Sequence, residues 1–332
     1  MQFDPVYDMH MQRQKNTRKM QRARKLMLLP TYGLFVPIIR LLDWFGLAGR
    51  TLRFFHKKLS EKLQIEKSFS GYEPNEHDVI VSAYVKSGTN WMMQIAHQIA
   101  NRGQGEFEHI HDVIPWPDGM PDYALALEHD AVYKAAPTGL RVIKSHLSLE
   151  YIPYSPSARY ICVARDPKDM MVSGYYFFRD TALGPLMPSA EAYLELLFSK
   201  EFLFNSWAQH IHSFWQARHR DNVLFLTFRE MKQDAVQNVS RIASFMDVDL
   251  TDAELAAVVE QSTFAAMRAI DHKFFPGLIT PWSNINGKMM RKGKVGDAGS
   301  LFTAVQLTQI DTHFKQVLQE LGSDFPYDQF FT

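Results

Sequence analysis

Short apolar runs alternate with stretches of helical periodicity from about residue 72 to the C-terminus. Four such runs predict buried strands, at residues 79–83, 141–143, 160–163 and 223–226. Trp91, Ile95 and Ile99 recur at a spacing of four, which indicates a helix after the first strand. Strands that alternate with helices form a mostly parallel sheet covered on both faces. The pattern therefore predicts an α/β fold in a single globular domain.

Two longer helices are predicted over residues 168–178 and 202–219. Pro167 suits the first turn of the helix at 168–178. Thr251 and Glu254 have the spacing of a capping box, which indicates the start of a further helix there. Ligands of such sheets bind at the carboxyl ends of the strands. We therefore expect the chemistry in the loops that follow the predicted strands.

Residues 1–67 differ from the rest of the chain in charge. They hold 14 Lys or Arg against 5 Asp or Glu, whereas the whole chain holds 36 of each. Seven basic residues between positions 13 and 25 precede an apolar stretch from Leu26 to Ile39. We therefore treat 1–67 as a basic and apolar helical segment, and 68–332 as the globular domain.

The apolar stretch does not fit a membrane span well. A span needs about 20 apolar residues, and here Pro30 and Pro37 interrupt the run and Arg40 closes it. A signal peptide fits poorly, because 25 residues precede the apolar run. Two interpretations stay open: a helix pair packed on the domain, or peripheral contact of residues 11–45 with an anionic membrane surface.

Composition narrows the class of protein further. Apolar residues make up 46% of the 332 positions and charged residues 22%, which is typical of a globular protein and excludes a disordered or collagenous one. The single cysteine, Cys162, forms no internal disulfide and favours a reducing, cytoplasmic compartment. The balanced bulk charge gives no indication of a nucleic-acid partner.

The loop after the first strand has the composition of an anion site. It reads Tyr-Val-Lys-Ser-Gly-Thr-Asn-Trp from Tyr84 to Trp91 and opens the predicted helix. Gly88 permits close backbone approach, Lys86 adds a positive charge, and the helix start presents free N–H groups. The common nucleotide-binding loop has its lysine after the second glycine, whereas Lys86 precedes Gly88. An ordinary strand-to-helix turn is the alternative reading.

Three further segments offer donors or cations near predicted strand ends. Lys144 and His146 lie two apart on extended chain and so share one face. Arg165 leaves the third strand, and arginine matches phosphate oxygens with two parallel donors. Residues 291–297, Arg-Lys-Gly-Lys-Val-Gly-Asp, form a basic loop with two glycines. We expect all of these to meet at one sheet edge.

The order of these segments resembles that of the cytosolic-type sulfotransferases. Their Tyr-Pro-Lys-Ser-Gly-Thr-Thr-Trp loop is matched from Tyr84, with Val85 and Asn90 as changes. Lys144-Ser145-His146 matches their Lys-Thr-His, and residues 165–169 with Ser173 match their Arg-Asn-Pro-Lys-Asp helix entry. The loop at 291–297 matches their Arg-Lys-Gly-x-x-Gly-Asp. The motifs cover about two thirds of the chain.

The resemblance implies a P-loop-like α/β fold that takes 3′-phosphoadenosine 5′-phosphosulfate (PAPS) as co-substrate. The residues it implies for the 5′-phosphosulfate are Lys86, Ser87, Gly88, Thr89, Asn90 and Trp91. Those implied for the 3′-phosphate are Arg165, Ser173, Arg291, Lys292 and Gly293. Those implied for the adenine side are Phe228, Ser262, Thr263, Phe264 and Met267.

Two departures from the family pattern bear on these expectations. Phe228 stands where the family has a tyrosine, so one hydroxyl contact to the nucleotide is missing. The family's terminal dimer motif survives only at Thr303, so the oligomeric state stays open.

Sulfuryl transfer needs a base that takes the acceptor's proton, and it needs positive charge close to the anionic leaving group. Phosphoryl transfer has much the same needs. His146 is the candidate general base, and Lys86 and Lys144 are the candidate stabilisers of the transferring group. No metal is expected. A small hydroxyl acceptor, such as an apolar alcohol, phenol, sterol or lipid, is the expected partner. Trp116, Phe107 and the aromatic residues at 175–178 are candidates for its pocket.

Two other functions are compatible with part of this pattern. A nucleotide-dependent kinase shares the sheet and the phosphate loop, but it requires a metal-binding Asp and the regular lysine position. A non-catalytic nucleotide-binding membrane adaptor shares the fold, but it has no need of Lys86, Lys144 and His146.

Overall fold

A computed structural model describes residues 5–119, 124–200, 202, 204–275, 277, 279–284 and 287–331. The four strands are β1 (Asp78–Ser82), β2 (Arg141–Ser145), β3 (Arg159–Ala164) and β4 (Val223–Thr227). All pairs are parallel, in the order β2-β1-β3-β4. This confirms the predicted α/β fold.

Helices precede, connect and follow the strands. The α-helices are α1 (Pro5–Pro30), α2 (Val36–Trp44), α3 (Ala48–Leu63), α4 (Thr89–Ala100), α5 (Ala131–Ala135), α6 (Pro167–Phe178), α7 (Ala190–Leu197), α8 (Trp207–Ala217), α9 (Phe228–Gln233), α10 (Ala235–Phe245), α11 (Asp252–Gln261), α12 (Phe264–Ala269), α13 (Ala304–Glu320) and α14 (Tyr327–Phe331). π-Helical turns lie at Thr31–Phe35 and Arg179–Leu183. Short 3₁₀ turns lie at Ile65–Lys67, Ile110–Asp112, Leu149–Tyr151, Gly184–Leu186, Asp271–Phe274 and Ala298–Ser300.

Alternate residues of β1 supply the cores on the two faces of the sheet. Val79 and Val81 pack with Met93 of α4 on one face, whereas Ile80 packs with Phe214 of α8 on the other. Each such side chain contributes about 1.5–3 kcal/mol by its burial. Strands buried on both faces are typical of parallel sheets, and this accounts for their nearly continuous apolar sequence.

Local capping explains where several helices begin. Thr251 and Glu254 form the predicted capping box of α11, in which each side chain bonds the other's backbone N–H. The predicted start of one helix at residue 202 is wrong, because α8 begins at Trp207. The Ser206 hydroxyl accepts the N–H of Ala208 there and fixes the helix start.

The sheet register brings the strand ends level. Ser82 at the end of β1 pairs with Ser145 of β2 and with Cys162 of β3. The loop that starts at Ala83, the pair Lys144 and His146, and Arg165 therefore leave the sheet at one edge.

Candidate functional site

The loop between β1 and α4 is held in a strained backbone conformation. Lys86 has φ of +64° and Gly88 has φ of +108°, both on the left-handed side. A Cβ at Gly88 would lie 2.9 Å from a ring carbon of Phe228. Glycine is therefore required at this position both by conformation and by space.

Two hydroxyls of this loop are buried without a hydrogen-bond partner among the described residues. They belong to Ser87 and to Thr89, the first residue of α4. An unsatisfied buried donor costs about 1–3 kcal/mol. A bound anion at the helix start would satisfy both hydroxyls, so the loop fits a phosphate or sulfate group. Asn90 is half-buried in the first turn of α4.

Arg165 leaves the end of β3 and spans two loops. Its Nη1 donates to the carbonyl of Lys86 at 2.9 Å, and its Nη2 donates to the carbonyl of Lys294 at 3.3 Å. Its guanidinium carbon lies 4.6 Å from the ring centroid of Phe228. The buried Nε has no described partner, so its N–H is available to a ligand.

The basic loop at residues 291–297 is organised by two carboxylates. Asp297 accepts bonds from Arg291 at 2.5 Å and from Lys292 at 2.6 Å. Asp169 of α6 accepts the backbone N–H groups of Gly296 and Asp297 at 2.8 and 2.9 Å. The two cations are therefore held side by side at the start of the loop.

Gly293 and Phe264 are in direct contact in this region. Gly293 has φ of +60°, and a Cβ there would lie 2.4 Å from a ring carbon of Phe264. Phe264 itself is 37% exposed at the start of α12. The glycine thus brings the basic loop against an accessible aromatic ring.

Lys86, Ser173 and Arg291 line one pocket of about 250 Å³. The other lining residues are Tyr176, Phe177, Arg179, Asp180, Arg268, Lys288 and Met289. The Nζ of Lys86 lies 4.2 Å from the centroid of the Phe177 ring. Burial lowers the pKa of Lys86 to about 8, and the nearby positive charge of Arg165 acts in the same direction.

The implied adenine-side residues differ in their surroundings. Trp91 donates from its ring to the carbonyl of Ser262 at 2.8 Å and meets Phe228 edge-on at 5.5 Å. The Ser262 hydroxyl is buried without a described partner. Thr263 caps α12 through its hydroxyl, and Met267 is buried in the core. In this conformation Met267 and the side chain of Thr263 therefore stabilise the fold and do not face an open nucleotide site.

His146 is held in one orientation at the end of β2. Its Nδ1 donates to the carbonyl of Ala83 at 2.7 Å, which leaves the lone pair on Nε2. Burial lowers the pKa of His146 well below its usual value, and the charge of Lys144 adds to this effect. The imidazole is therefore neutral near pH 7 and competent to accept a proton at Nε2.

Lys144 is buried beside the same histidine. Its Nζ lies over the ring of Trp116, and Trp116 also meets His146 edge-on at 5.7 Å. Burial lowers the pKa of Lys144, and the charge of Lys86 lowers it further, whereas Asp118 opposes the shift. The net result is a pKa of about 7 for Lys144, so this ammonium carries its positive charge fully only below neutral pH.

Asp118 has a role that the sequence pattern does not predict. Its Oδ2 accepts the backbone N–H of His146 at 2.8 Å, and its Oδ1 is buried without a described partner. Burial raises the pKa of Asp118. The motif spacing gave no signal for this contact, because 28 residues separate the two positions. Trp116 was expected near an acceptor and does contact His146, whereas Phe107 packs on Phe274 in the core.

These loops form an electropositive edge with unsatisfied donors, a neutral imidazole and a small pocket. The arrangement fits an α/β group-transfer enzyme with a multiply charged anion as its ligand. In the described part of the chain, three or more His, Cys, Asp or Glu side chains do not cluster as metal ligands would. The expectation of a metal-free mechanism stays a prediction.

Comparison with known proteins supplies the family. The family model described as "Sulfotransferase domain" matches residues 76–322, so the chain belongs to the sulfotransferase family and is a sulfotransferase. The kinase and the non-catalytic adaptor are thereby set aside.

Individual relatives agree with this assignment. Rat "Sulfotransferase 2A1" is 31% identical over 279 residues, which cover 83% of this chain and 95% of the relative. The human protein of the same name is 28% identical over 293 residues, which cover 86% of this chain and 98% of the relative. Mouse sulfotransferase SULT7A1, solved in complex with PAP, has 26% identity and a TM-score of 0.58, with 76% of this chain and 88% of that chain covered.

A retinol dehydratase solved with retinol and PAP has 21% identity and a TM-score of 0.64, with 80% of this chain and 87% of that chain covered. This similarity shows a shared fold. It confirms the expected P-loop-like α/β architecture.

Proposed function

We propose that the protein transfers the sulfuryl group of PAPS to a hydroxyl of a small apolar acceptor, with His146 as the general base. The observation that carries the proposal is the orientation of His146. Because Nδ1 donates to the Ala83 carbonyl, Nε2 keeps its lone pair at the edge where the anion loop begins. This orientation supports the proposal of a proton acceptor beside an anion site.

The 5′-phosphosulfate is assigned to the β1–α4 loop. The buried, unpartnered hydroxyls of Ser87 and Thr89 fit an anion, and the start of α4 adds its N–H groups. Lys86 supplies a full charge from the pocket that it shares with Ser173 and Arg291. PAPS supplies the activated sulfuryl group and the phosphate leaving group.

The 3′-phosphate is assigned to Arg165, Ser173 and the loop from Arg291 to Gly293. Arg165 and Arg291 each keep a buried Nε that lacks a described partner. Asp297 holds Arg291 and Lys292 together at the loop. A phosphate would draw these cations from Asp297, because its charge is larger and its oxygens match the guanidinium geometry.

The chemical step places a different demand on each residue. The acceptor oxygen forms a bond to sulfur while the bond from sulfur to the phosphate oxygen breaks. His146 Nε2 takes the acceptor's proton as the new bond forms. Lys86 and Lys144 stabilise the charge that develops on the transferring group and the leaving oxygen.

The surroundings of His146 support an apolar acceptor. The rings of Trp116 and Phe204 lie edge-on to the imidazole at 5.7 and 5.2 Å. Such walls favour an alcohol, phenol, sterol or lipid over a charged acceptor. We place the reaction in the cytoplasm, since the single Cys162 is buried and suits a reducing compartment.

Calorimetry provides the first test. Purified protein is titrated, without magnesium, with adenosine 3′,5′-bisphosphate and with ADP. Tight binding of the bisphosphate together with weak binding of ADP is expected from the 3′-phosphate pocket. Equal binding of the two, or a preference for ADP, would overturn the assignment. Phenols, sterols and lipid alcohols are then screened for sulfation with PAPS.

A further inference from the structure

One face of α1 is a continuous stripe of exposed residues. Positions 11, 15, 18, 22, 25 and 29 follow spacings of four and three, so they lie on one side of the helix. This stripe consists of Met11, Lys15, Arg18, Arg22, Lys25 and Leu29, and all six are exposed. Salt bridges within the described residues do not involve its four cations.

The opposite face of α1 contacts the catalytic domain. Arg13 bonds the carboxylate of Asp112 at 2.5 Å, and Arg24 donates to the carbonyl of Ser283 at 3.1 Å. The helix therefore lies along the domain with one side packed. The stripe points away from these contacts and into solvent.

The stripe passes into an exposed apolar surface. Leu26 and Leu29 are 80% and 83% exposed, and Trp44 at the end of α2 is 78% exposed. The other exposed apolar residues in this part of the chain are Leu28, Tyr32, Leu34, Ile38, Leu41 and Phe45. Isolated exposed apolar residues are ordinary, but so many within positions 26–45 favour a binding surface.

The helix α3 has the same combination of residues on its exposed side. Phe54 and Phe55 are exposed next to Arg50, Lys57 and Lys58. Aromatic rings beside basic residues are typical of helices that lie in a membrane interface.

The helix from Val6 to Trp44 is long and apolar enough to cross a membrane by length and composition, and 6% of its most apolar window is buried. Its contacts favour a position in the plane of the membrane instead. Thr31 accepts the ring N–H of Trp282 at 2.8 Å, and Asp43 accepts the hydroxyl of Ser189 at 2.8 Å. The middle of the apolar stretch and the segment just after it are thus fastened to the domain.

The charge of the stripe favours an anionic bilayer over a second copy of this chain as the partner that covers this surface. A second copy in a two-fold dimer would present the same patch and thus bring the four cations of the stripe near their own counterparts. An anionic bilayer offers opposite charge to the cations and an apolar interior to the leucines and the tryptophan.

We propose that α1, α2 and α3 dock this enzyme on the surface of an anionic bilayer, with the helices lying in the interface. The cations of the α1 stripe contact lipid headgroups, and Leu26, Leu29 and Trp44 insert between them. The docking goes beyond sulfuryl transfer and does not depend on it.

Vesicle sedimentation tests the docking with the full-length chain. We expect the protein to pellet with vesicles of phosphatidylcholine and phosphatidylserine, and to bind pure phosphatidylcholine vesicles at least about tenfold more weakly. Raising the salt concentration releases the protein, because it screens the cations.

Two variants and one control give the test its specificity. The variant Lys15→Gln, Arg18→Gln, Arg22→Gln, Lys25→Gln removes the stripe and lowers affinity for anionic vesicles by at least about tenfold. The variant Leu29→Ser, Trp44→Ser removes apolar insertion and weakens binding to the same vesicles. The control variant removes four exposed charges outside the N-terminal helices: Lys134→Gln, Arg220→Gln, Arg241→Gln and Lys315→Gln. We expect it to bind vesicles as the wild type does.

Three results would overturn the proposal. Equal losses in the stripe variant and the control would mean a nonspecific effect of net charge. A wild-type dimer that becomes monomeric in Leu29→Ser, Trp44→Ser would mean that a second copy covers the surface. Retention on membranes after alkaline carbonate extraction would mean that the segment spans the bilayer. Nucleotide binding is measured in parallel, so failure of the docking is distinguishable from failure of the proposed function.

Discussion

The ammonium of Lys144 lies 3.3 Å from the centroid of the Trp116 ring. This contact compensates part of the cost of burying a lysine, since an aromatic face attracts a cation more strongly when both are desolvated. Asp118, two residues after Trp116, interacts with the same lysine and bonds the backbone of His146. One short segment therefore sets both the charge of Lys144 and the position of His146.

The substitution Asp118→Asn separates these two roles. The asparagine oxygen can still accept the His146 N–H, but the negative charge that raises the pKa of Lys144 is lost. We expect the alkaline limb of kcat/KM for PAPS to move down by about one pH unit. A uniform loss of rate at every pH would instead indicate a purely structural role for Asp118.

The substitution His146→Ala removes the proposed base. We expect kcat to fall by about 10²–10⁴-fold, the usual contribution of general base catalysis. Calorimetry should give nearly unchanged affinity for adenosine 3′,5′-bisphosphate. His219→Ala is the matched control, because His219 is exposed at the end of α8. Wild-type turnover in His146→Ala would exclude this histidine as the base.

The lowered pKa of Lys86 predicts that nucleotide binding takes up protons in a pH-dependent way. Its pKa is lowered to about 8 in the free enzyme, and a bound phosphate group raises it again. Binding at pH 8.5 should therefore take up a proton, whereas binding at pH 6.5 takes up none at Lys86. Affinity is lost as the pH rises through the lower, free-enzyme pKa.

The uptake is measured from calorimetric enthalpies in buffers of different ionisation enthalpy. The matched variant is Lys86→Arg, whose guanidinium stays charged in this range. We expect the uptake at pH 8.5 to decrease by up to about one proton in this variant. Equal uptake in both proteins would assign the proton to another group.

We expect a side chain at position 293 to have a steric effect that a side chain at position 296 does not have. Both glycines have positive φ, but a Cβ at Gly293 would meet the Phe264 ring at 2.4 Å, whereas a Cβ at Gly296 would meet no described atom within 4 Å. Gly293→Ala should therefore weaken bisphosphate binding about tenfold more than Gly296→Ala does, since overpacking displaces the ring. Equal affinities of the two variants would separate Phe264 from the nucleotide site.

Local pattern is sufficient to predict the sheet, because β1 and its neighbours are apolar on both faces. The anion loop, in which Gly88 precedes the start of a helix, stays a prediction. The start of α8 was misplaced, because the apolar pattern continues before Trp207 while the Ser206 cap begins the helix.

Contacts between distant segments were beyond the reach of sequence patterns. Asp118 reaches His146 across 28 residues, and Asp43 reaches Ser189 across 146. Periodicity reports which face of an element is apolar, but it does not report which other element covers that face. The two interpretations of the N-terminal segment stayed open for this reason.

Trp282 connects the N-terminal helices to the segment that precedes the basic loop in sequence. Its ring N–H bonds Thr31, and Arg291 follows nine residues later along the same stretch of chain. If lipid contact alters the position of this stretch, the affinity for nucleotide changes by some factor. Thermodynamic reciprocity then requires nucleotide to alter the affinity for lipid by the same factor.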